Sequence, residues 1–153
     1  PTDRVVVLAP AGLGEDTCMR LERIGYDNCA GHLADGEAFL LSHSDRVSPV
    51  SRLTVAQFDE VRTNPEVQVV DIRNAGELEV NGKVPGTRHI PLAELVKRSD
   101  ELDPTRPVVL HCAGGWRSSV GASTLRAHGF TDVSDLLGGF GAWSAAHPDV
   151  QQS

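Results

Sequence analysis

The residues after position 50 alternate between helical and strand-like hydrophobic patterns. Thr54 and Gln57 stand at the spacing of a capping box, and apolar residues then recur at helical spacing, which predicts a helix over 55–63. The β-branched run 67–72 predicts a largely buried strand. The remaining predicted elements are, in order, a helix over 75–80, an extended segment over 89–91, a helix over 92–98, a strand over 108–111, a helix over 117–128, a strand over 133–136 and a helix over 140–146. This alternation predicts an α/β fold, with a parallel sheet covered by helices on both faces.

The first part of the chain repeats the end of this pattern. Matching pairs of segments are 4–8 with 106–110, 25–26 with 129–130, Leu33 with Leu137, and 38–39 with 142–143. Residues 1–45 are therefore predicted to be a partial copy, the C-terminal half of a domain. The stretch 42–51 is polar and carries Pro49, and residues 46–51 within it are predicted to be a linker. Residues 52–147 are predicted to form the complete domain.

Composition narrows the class of protein. A formal net charge of -7 and a pI near 5.3 argue against nucleic acid or an anionic membrane as a partner, because both require clustered cations. The apolar runs are strand-sized, which excludes a membrane-spanning helix or signal peptide in this sequence. The chain starts at Pro1 without methionine, so we expect a processed form or part of a longer parent.

The three cysteines include no C-x-x-C pair, so neither a disulfide framework nor a thiolate metal cluster is predicted. A reducing, cytoplasmic setting fits this count. Cys18 and Cys29 are expected on a helix and a strand of the partial copy, as buried apolar residues. The histidine spacings match no metal motif, and we expect no metal and no cofactor.

The third cysteine has surroundings suited to chemistry. Cys112 follows a predicted buried strand, and Gly114 and Gly115 lead from it into a helix that begins near Arg117. Two glycines allow the backbone to turn its N–H groups inward as an anion nest, and the helix directs its positive end to the same point. A thiolate there would be stabilised, and so would the terminal sulfur of a persulfide. The opposing interpretation is an inert buried cysteine.

Several separated motifs resemble the rhodanese family over about residues 52–147. They are 71–73 with Glu77, the turn 82–86 followed by 89–92, the loop 112–118, and 137–140 with Trp143. The resemblance implies a rhodanese-like sheet with Cys112 as the persulfide-forming nucleophile. It also implies that the loop residues bind the substrate, namely Ala113, Gly114, Gly115, Trp116, Arg117 and Ser118. Lys83 and Val84 depart from the usual His-Ile of a structural turn.

The spacing within the loop separates two kinds of enzyme. Phosphatase-like loops place an arginine six positions after the cysteine, whereas Arg117 lies five positions after Cys112. The shorter loop favours a sulfurtransferase, which moves sulfur from thiosulfate or a thiol persulfide to cyanide, sulfite or a thiol. Two alternatives stay open: a non-catalytic persulfide carrier or regulatory module, and a phosphatase or arsenate-reductase-like enzyme.

Four further residues have two interpretations or a supporting role. Trp116 either walls the pocket mouth or packs to fix the loop. Arg73 is expected to be a structural ion-pair partner of Glu77, with a supporting role near the pocket as the alternative. Asp71 is expected to cap or orient backbone at the sheet edge. Strand alternation turns His111 away from Cys112, so it is interpreted as structural.

Residues 1–45 also resemble the truncated segment between a metallo-β-lactamase-fold domain and a terminal rhodanese domain in bacterial fusion proteins, with 23–27 as the most suggestive stretch. The resemblance implies an upstream metal-dependent domain similar to persulfide dioxygenases as partner, besides small-molecule sulfur donors and acceptors. Pro10 in place of the nucleophile and Glu15 in place of Arg117 predict that the partial copy is catalytically silent.

Overall fold

The computed structural model describes residues 3–47 and 50–148, which fall into two units on either side of that gap. The elements of the N-terminal unit are β1 (Val5–Leu8), α1 (Gly14–Glu22), β2 (Cys29–Leu33), α2 (Gly36–Ser42) and a 3-10 turn (Ser44–Arg46). Strands β1 and β2 pair in parallel. Ser48 and Pro49 of the predicted linker lie outside the described residues, and Ser51 already belongs to the next strand.

The N-terminal unit has a small core and a cysteine pair. Among its described residues Val7 is the one large apolar side chain that is fully buried. Cys18 of α1 and Cys29 of β2 form a disulfide, with their Cα atoms 6.0 Å apart. The expectation of two buried, unpaired apolar cysteines and no disulfide is therefore wrong. The helix and the strand bring the two side chains face to face, which a separation of 11 residues in the sequence does not reveal.

The second unit carries a five-stranded parallel sheet with the strand order β3-β7-β6-β4-β5. Its elements are β3 (Ser51–Leu53), α3 (Val55–Val61), β4 (Gln68–Asp71), α4 (Ala75–Asn81), β5 (Arg88–His89), β6 (Val108–His111), α5 (Trp116–Ala127), β7 (Val133–Leu136) and α6 (Gly139–Ala146). The predicted α/β fold with a helix-covered parallel sheet is confirmed, and so is the capping box of Thr54 and Gln57.

The prediction of a helix over residues 92–98 is wrong. The segment instead forms 3-10 turns at Leu92–Glu94 and Ser99–Glu101, closed by i to i+3 bonds such as that from the Leu95 amide to the Leu92 carbonyl. The tighter winding follows burial, because Leu95 and Leu102 both reach the core, at 0% and 4% exposure. Tertiary packing here overrides helical spacing.

The core lies in two layers, one on each face of the sheet. Alternate residues of β6 and its extension divide between them, so that Leu110 and Cys112 lie in the layer that contains residues of α5, while Val109 lies in the layer beneath α3 and α6. His111 faces Phe58 of α3 and is fully buried. As predicted, the strand therefore directs His111 away from the cysteine. Among the described residues no helix is long and apolar enough to span a membrane.

His111 is a fully buried polar side chain. Within the described part of the chain neither of its ring nitrogens has a hydrogen-bond partner, and Nε2 lies 3.8 Å from the Asp71 carboxylate. Burial lowers the pKa of His111 to about 4, against the opposing effect of Asp71. The side chain is therefore neutral in the folded protein at pH values where it is protonated in the unfolded chain.

This burial predicts an acid-sensitive fold. The unfolded chain binds the extra proton as the pH falls below 6.5, whereas the folded protein binds it near pH 4, so stability decreases across that window. The loss expected from His111 between pH 6.5 and 4.5 is about 2 to 3 kcal/mol. Urea unfolding of the wild type and of His111→Leu measures it, and the variant should lose most of the slope. An unchanged slope in the variant would contradict the assignment.

Candidate active site

The loop 112–115 joins the carboxyl end of β6 to the first turn of α5. Gly115 is the N-cap of α5 with φ of 94°, a left-handed conformation that favours glycine. A Cβ at this position would also lie 3.2 Å from the amide nitrogen of Gly138. The geometry turns the amides of the loop toward the sulfur of Cys112.

The sulfur of Cys112 sits at the base of this loop and is hydrogen-bonded. The residue is 1% exposed, whereas Ala113 and Gly114 at the rim are exposed. The Gly115 amide donates to Sγ at 3.1 Å, and Ser118 Oγ lies 3.6 Å from Sγ. Burial alone would raise the pKa of the thiol, but hydrogen bonds from Ser118 and from the loop amides outweigh it and lower the pKa below its ordinary value.

The first turn of α6 fixes the loop from behind. The Phe140 amide donates to the Cys112 carbonyl at 2.7 Å, and the Gly141 amide donates to the Ala113 carbonyl at 2.9 Å. Gly139 has φ of 56°, and a Cβ there would collide with the Cys112 carbonyl oxygen. With the loop carbonyls satisfied by α6, the loop amides remain directed at the sulfur.

Arg117 forms a two-pronged ion pair across the mouth of the loop. Its Nη1 and Nη2 each lie 2.6 Å from a carboxylate oxygen of Glu77. Glu77 also accepts from the Asn74 amide at the start of α4, so the pair joins α4 to α5. The Arg117 bonds, opposed by burial, lower the pKa of Glu77 to about 2.

Arg73 pairs with Asp71, so the predicted pairing with Glu77 is wrong. Both side chains are buried, and Arg73 Nη2 lies 2.7 Å from Asp71 Oδ2. The guanidinium also donates to the Gly82 carbonyl at 2.8 Å and lies over the Phe140 ring, 4.0 Å from its centroid. The carboxylate of Asp71 folds back on its own strand end and accepts from the Arg73 amide. Asp71 and Glu77 both lie close to Arg73 in the sequence, so sequence separation alone does not show which of them pairs with it.

Cavities flank the loop on both sides. One of about 620 Å³ is lined by Ala113, Arg73 and Glu77, among others, and one of about 240 Å³ by Arg52 and Trp116 with the glycines of the loop. Trp116 is 86% exposed. Such exposure argues against the interpretation of Trp116 as a packing residue and leaves it at the wall of the smaller cavity.

Arg52 and Asp135 also belong to the site, and the sequence motifs did not reveal them. Asp135 is fully buried in β7 and accepts from Arg52 of β3 and from Ser118. A carboxylate inside a buried strand such as 133–136 is a signal that a cation lies nearby. Only the pairing of β3 with β7, which sets Arg52 opposite Asp135, identifies that cation. Among the described residues, no group of three or more histidine, cysteine or acidic side chains could hold a metal ion.

The fold and the loop define a class of small α/β domains in which a cysteine at the end of a strand faces a glycine-containing loop before a helix. The chain belongs to the rhodanese-like domain family, whose sequence profile matches residues 54–146. It is 34% identical over 101 residues to the thiosulfate sulfurtransferase GlpE of Shewanella oneidensis, covering 66% of this chain and 99% of that protein.

Two other relatives extend the comparison. The uncharacterized protein YqhL of Bacillus subtilis is 40% identical over 78 residues, which cover 51% of this chain and 61% of YqhL, so the match spans less than two thirds of that relative. The solved structure of RPA3614 from Rhodopseudomonas palustris is 30% identical with a TM-score of 0.58, covering 72% of this chain and 89% of that chain. RPA3614 is described as a protein of unknown function and a possible tyrosine phosphatase.

The hydrogen bond between Ser118 and the sulfur predicts a measurable shift in the reactivity of Cys112. In Ser118→Ala the thiol pKa should rise, because a donor to the thiolate is lost, and the pH midpoint of Cys112 alkylation should rise with it. The pH dependence of iodoacetamide alkylation, read on the peptide that contains Cys112, measures this midpoint. Ser119→Ala is the matched control, since the Ser119 hydroxyl donates to the Trp116 carbonyl. Equal midpoints in the two variants would refute the assignment.

The close contact of Gly139 with the loop predicts a loss of stability on substitution. Gly139→Ala places a methyl group against the Cys112 carbonyl at a positive φ, and should lower the free energy of unfolding by about 1 to 3 kcal/mol. Gly76 of α4 serves as the comparison, because a Cβ added there would have no neighbour within 4 Å. Gly76→Ala should stabilise by up to about 1 kcal/mol. Thermal unfolding of both variants gives the sign of each stability change. Two stability changes of the same sign would contradict the prediction.

Proposed function

We propose that this protein is a sulfurtransferase that carries sulfane sulfur as a persulfide on Cys112. The observation that carries the proposal is the convergence of loop amides and the Ser118 hydroxyl on one buried sulfur, with the thiol pKa lowered. The similarity to the thiosulfate sulfurtransferase GlpE supports thiosulfate as one donor. A thiol persulfide is the alternative donor, and cyanide, sulfite or a thiol is the acceptor.

In the first half-reaction the Cys112 thiolate attacks the outer sulfur of thiosulfate. The new bond joins Sγ to that sulfur, the sulfur–sulfur bond of thiosulfate breaks, and sulfite leaves with the bonding electron pair. Cys112 then bears a persulfide whose terminal sulfur is anionic. The exposure of Ala113 and Gly114 supports entry of the donor from that side of the loop.

In the second half-reaction a nucleophilic acceptor attacks the terminal sulfur. With cyanide, a carbon–sulfur bond forms, the bond to Sγ breaks, and thiocyanate leaves while the thiolate is restored. Sγ is the leaving group in this step, so the hydrogen bonds that stabilise the thiolate favour discharge as well as charging. Two successive half-reactions on one residue predict ping-pong kinetics.

The loop geometry disfavours phosphate chemistry as the alternative. Arg117 lies five positions after Cys112, and Glu77 already occupies the two guanidinium nitrogens that would grip a phosphate in a bidentate manner. The observation in favour of a phosphatase is the similarity to RPA3614, a possible tyrosine phosphatase. Hydrolysis of an aryl phosphate by the wild type and not by Cys112→Ser would favour it.

Removing the nucleophile is the direct test. Cys112→Ser should abolish transfer from thiosulfate to cyanide, because a serine hydroxyl is not ionised at neutral pH and cannot accept sulfane sulfur. The double variant Cys18→Ser/Cys29→Ser is the control and should retain the activity, since the loop contains neither residue. Full activity in Cys112→Ser would overturn the proposal.

Mass spectrometry separates the enzyme from the carrier. After incubation with thiosulfate the peptide that contains Cys112 should gain one sulfur atom and lose it again on addition of cyanide. A gain of sulfur with negligible turnover would identify a persulfide carrier.

A fused upstream metallo-β-lactamase-fold domain, as the resemblance of residues 1–45 implies, remains a proposal that the sequence of the parent gene tests.

A further inference from the structure

A hydrogen-bond network built on a buried carboxylate lies next to the sulfur of Cys112. Its centre is Asp135 of β7, which is 0% exposed. Arg52 of β3 holds both carboxylate oxygens of Asp135, with Nε at 2.9 Å from Oδ1 and Nη2 at 3.0 Å from Oδ2. Ser118 Oγ lies 3.1 Å from Oδ2. The network therefore connects an arginine at the edge of the sheet to the serine that contacts Cys112.

The hydroxyl group of Ser118 has more acceptors around it than it can serve. Its oxygen lies 3.1 Å from the Gly115 carbonyl, 3.1 Å from Asp135 Oδ2 and 3.6 Å from Cys112 Sγ. A hydroxyl carries one proton and can donate it fully to one of the three. When Cys112 is a thiol, its S–H can donate to Ser118. When Cys112 is a thiolate, stabilising it requires that Ser118 give its proton to the sulfur.

Arg52 contacts both of the acceptors that compete with the sulfur. The same Nη2 nitrogen that lies 3.0 Å from Asp135 Oδ2 also donates to the Gly115 carbonyl at 3.3 Å. With these two oxygens supplied by Arg52, the proton of Ser118 can turn to the sulfur without leaving a buried acceptor unpaired. The arginine thus offsets the cost of that rotation.

We propose that Arg52 and Asp135 are positioning residues of the Cys112 loop, which decide whether the single hydroxyl proton of Ser118 is donated to the carboxylate or to the sulfur. Asp135 draws the proton away from the sulfur, and Arg52 releases it. The inference rests on the proposed role of Cys112 as the nucleophile, and it assigns opposite effects to two residues of one ion pair.

The charged side chains around the sulfur lie on four elements. Arg52 and Asp135 lie on β3 and β7, Arg117 lies on α5, and Glu77 on α4 neutralises Arg117. Because Arg117 and Glu77 stay in place in every variant below, their effect on the sulfur is constant. Changes at Arg52 or Asp135 then act on the sulfur through the Ser118 proton and through the charge of the altered residue itself.

The test compares the pH midpoint of iodoacetamide alkylation, read on the Cys112 peptide, in Arg52→Gln and Asp135→Asn. Arg52→Gln should raise the midpoint by about one pH unit, because Asp135 keeps the Ser118 proton and a cation is lost. Asp135→Asn should lower it by a similar amount, because the competing charge is gone and Arg52 stays. Arg62→Gln is the control, since it breaks an Arg–Asp pair with Asp59 on α3, away from the loop, and should leave the midpoint unchanged.

Opposite signs exclude mere structural support. Repeating both substitutions in a Ser118→Ala background separates the Ser118 proton from the charges alone: both shifts should shrink there, and undiminished shifts would overturn the proposal. Shifts of the same sign, or no shift in folded variants, would overturn the proposal. If Arg52→Gln does not fold, because it leaves a buried carboxylate unpaired, the double variant Arg52→Gln/Asp135→Asn decides. Its midpoint should return close to that of the wild type, and a midpoint as low as in Asp135→Asn alone would count against a role for Arg52. Alkylation needs no sulfur transfer, so loss of the proposed function would be seen separately, as absent turnover with the midpoints still shifted.

Discussion

The hydrogen bonding of one buried sulfur is the constraint on which the site depends. A thiolate or persulfide removed from water is costly unless donors replace the lost solvation. In this protein the donors are backbone amides that a left-handed Gly115 turns inward, and the hydroxyl of Ser118. The amides of α6 bind the loop carbonyls, which keeps the loop in this orientation. The end of β6, the start of α5 and the start of α6 must therefore meet at Cys112, and the strand order of the sheet brings them there.

Around this centre the cationic groups are matched by carboxylates. Two of the pairs join separate elements, α4 with α5 and β3 with β7, so they fix the loop as well as balancing charge, whereas the third lies within the segment that ends β4. The three pairs are Arg117 with Glu77, Arg73 with Asp71, and Arg52 with Asp135. With the guanidinium charges largely neutralised, the fixed dipoles of the loop amides become the main stabilisation for a negative sulfur. Arg52 differs from the others because it also contacts the Gly115 carbonyl inside the loop.

Much of this arrangement follows from local sequence, and the rest depends on contacts between distant segments. The strand before Cys112, the glycines after it and the helix beyond are local features. The structure has the loop between β6 and α5 at the predicted position. The pair of Arg52 with Asp135 cannot be predicted locally, because the register of β3 against β7 sets it. Arg73 pairs with Asp71 and not with Glu77 as predicted, because both carboxylates are near it in the sequence and only the folded backbone selects between them. The same holds for Cys18 and Cys29, whose disulfide needs the approach of α1 to β2. Leu95 closes a 3-10 turn in place of the predicted helix, because its burial favours the tighter winding.

The central claim is that the amides around Sγ of Cys112 hold an anionic sulfur and its persulfide. A high-resolution crystal structure of the protein after treatment with thiosulfate tests it most directly. We expect one additional sulfur atom bonded to Sγ of Cys112, within hydrogen-bond distance of backbone amides of the loop, with Arg117 still paired to Glu77. An unmodified Cys112 in crystals that have taken up thiosulfate, or a terminal sulfur directed away from the loop amides, would contradict it.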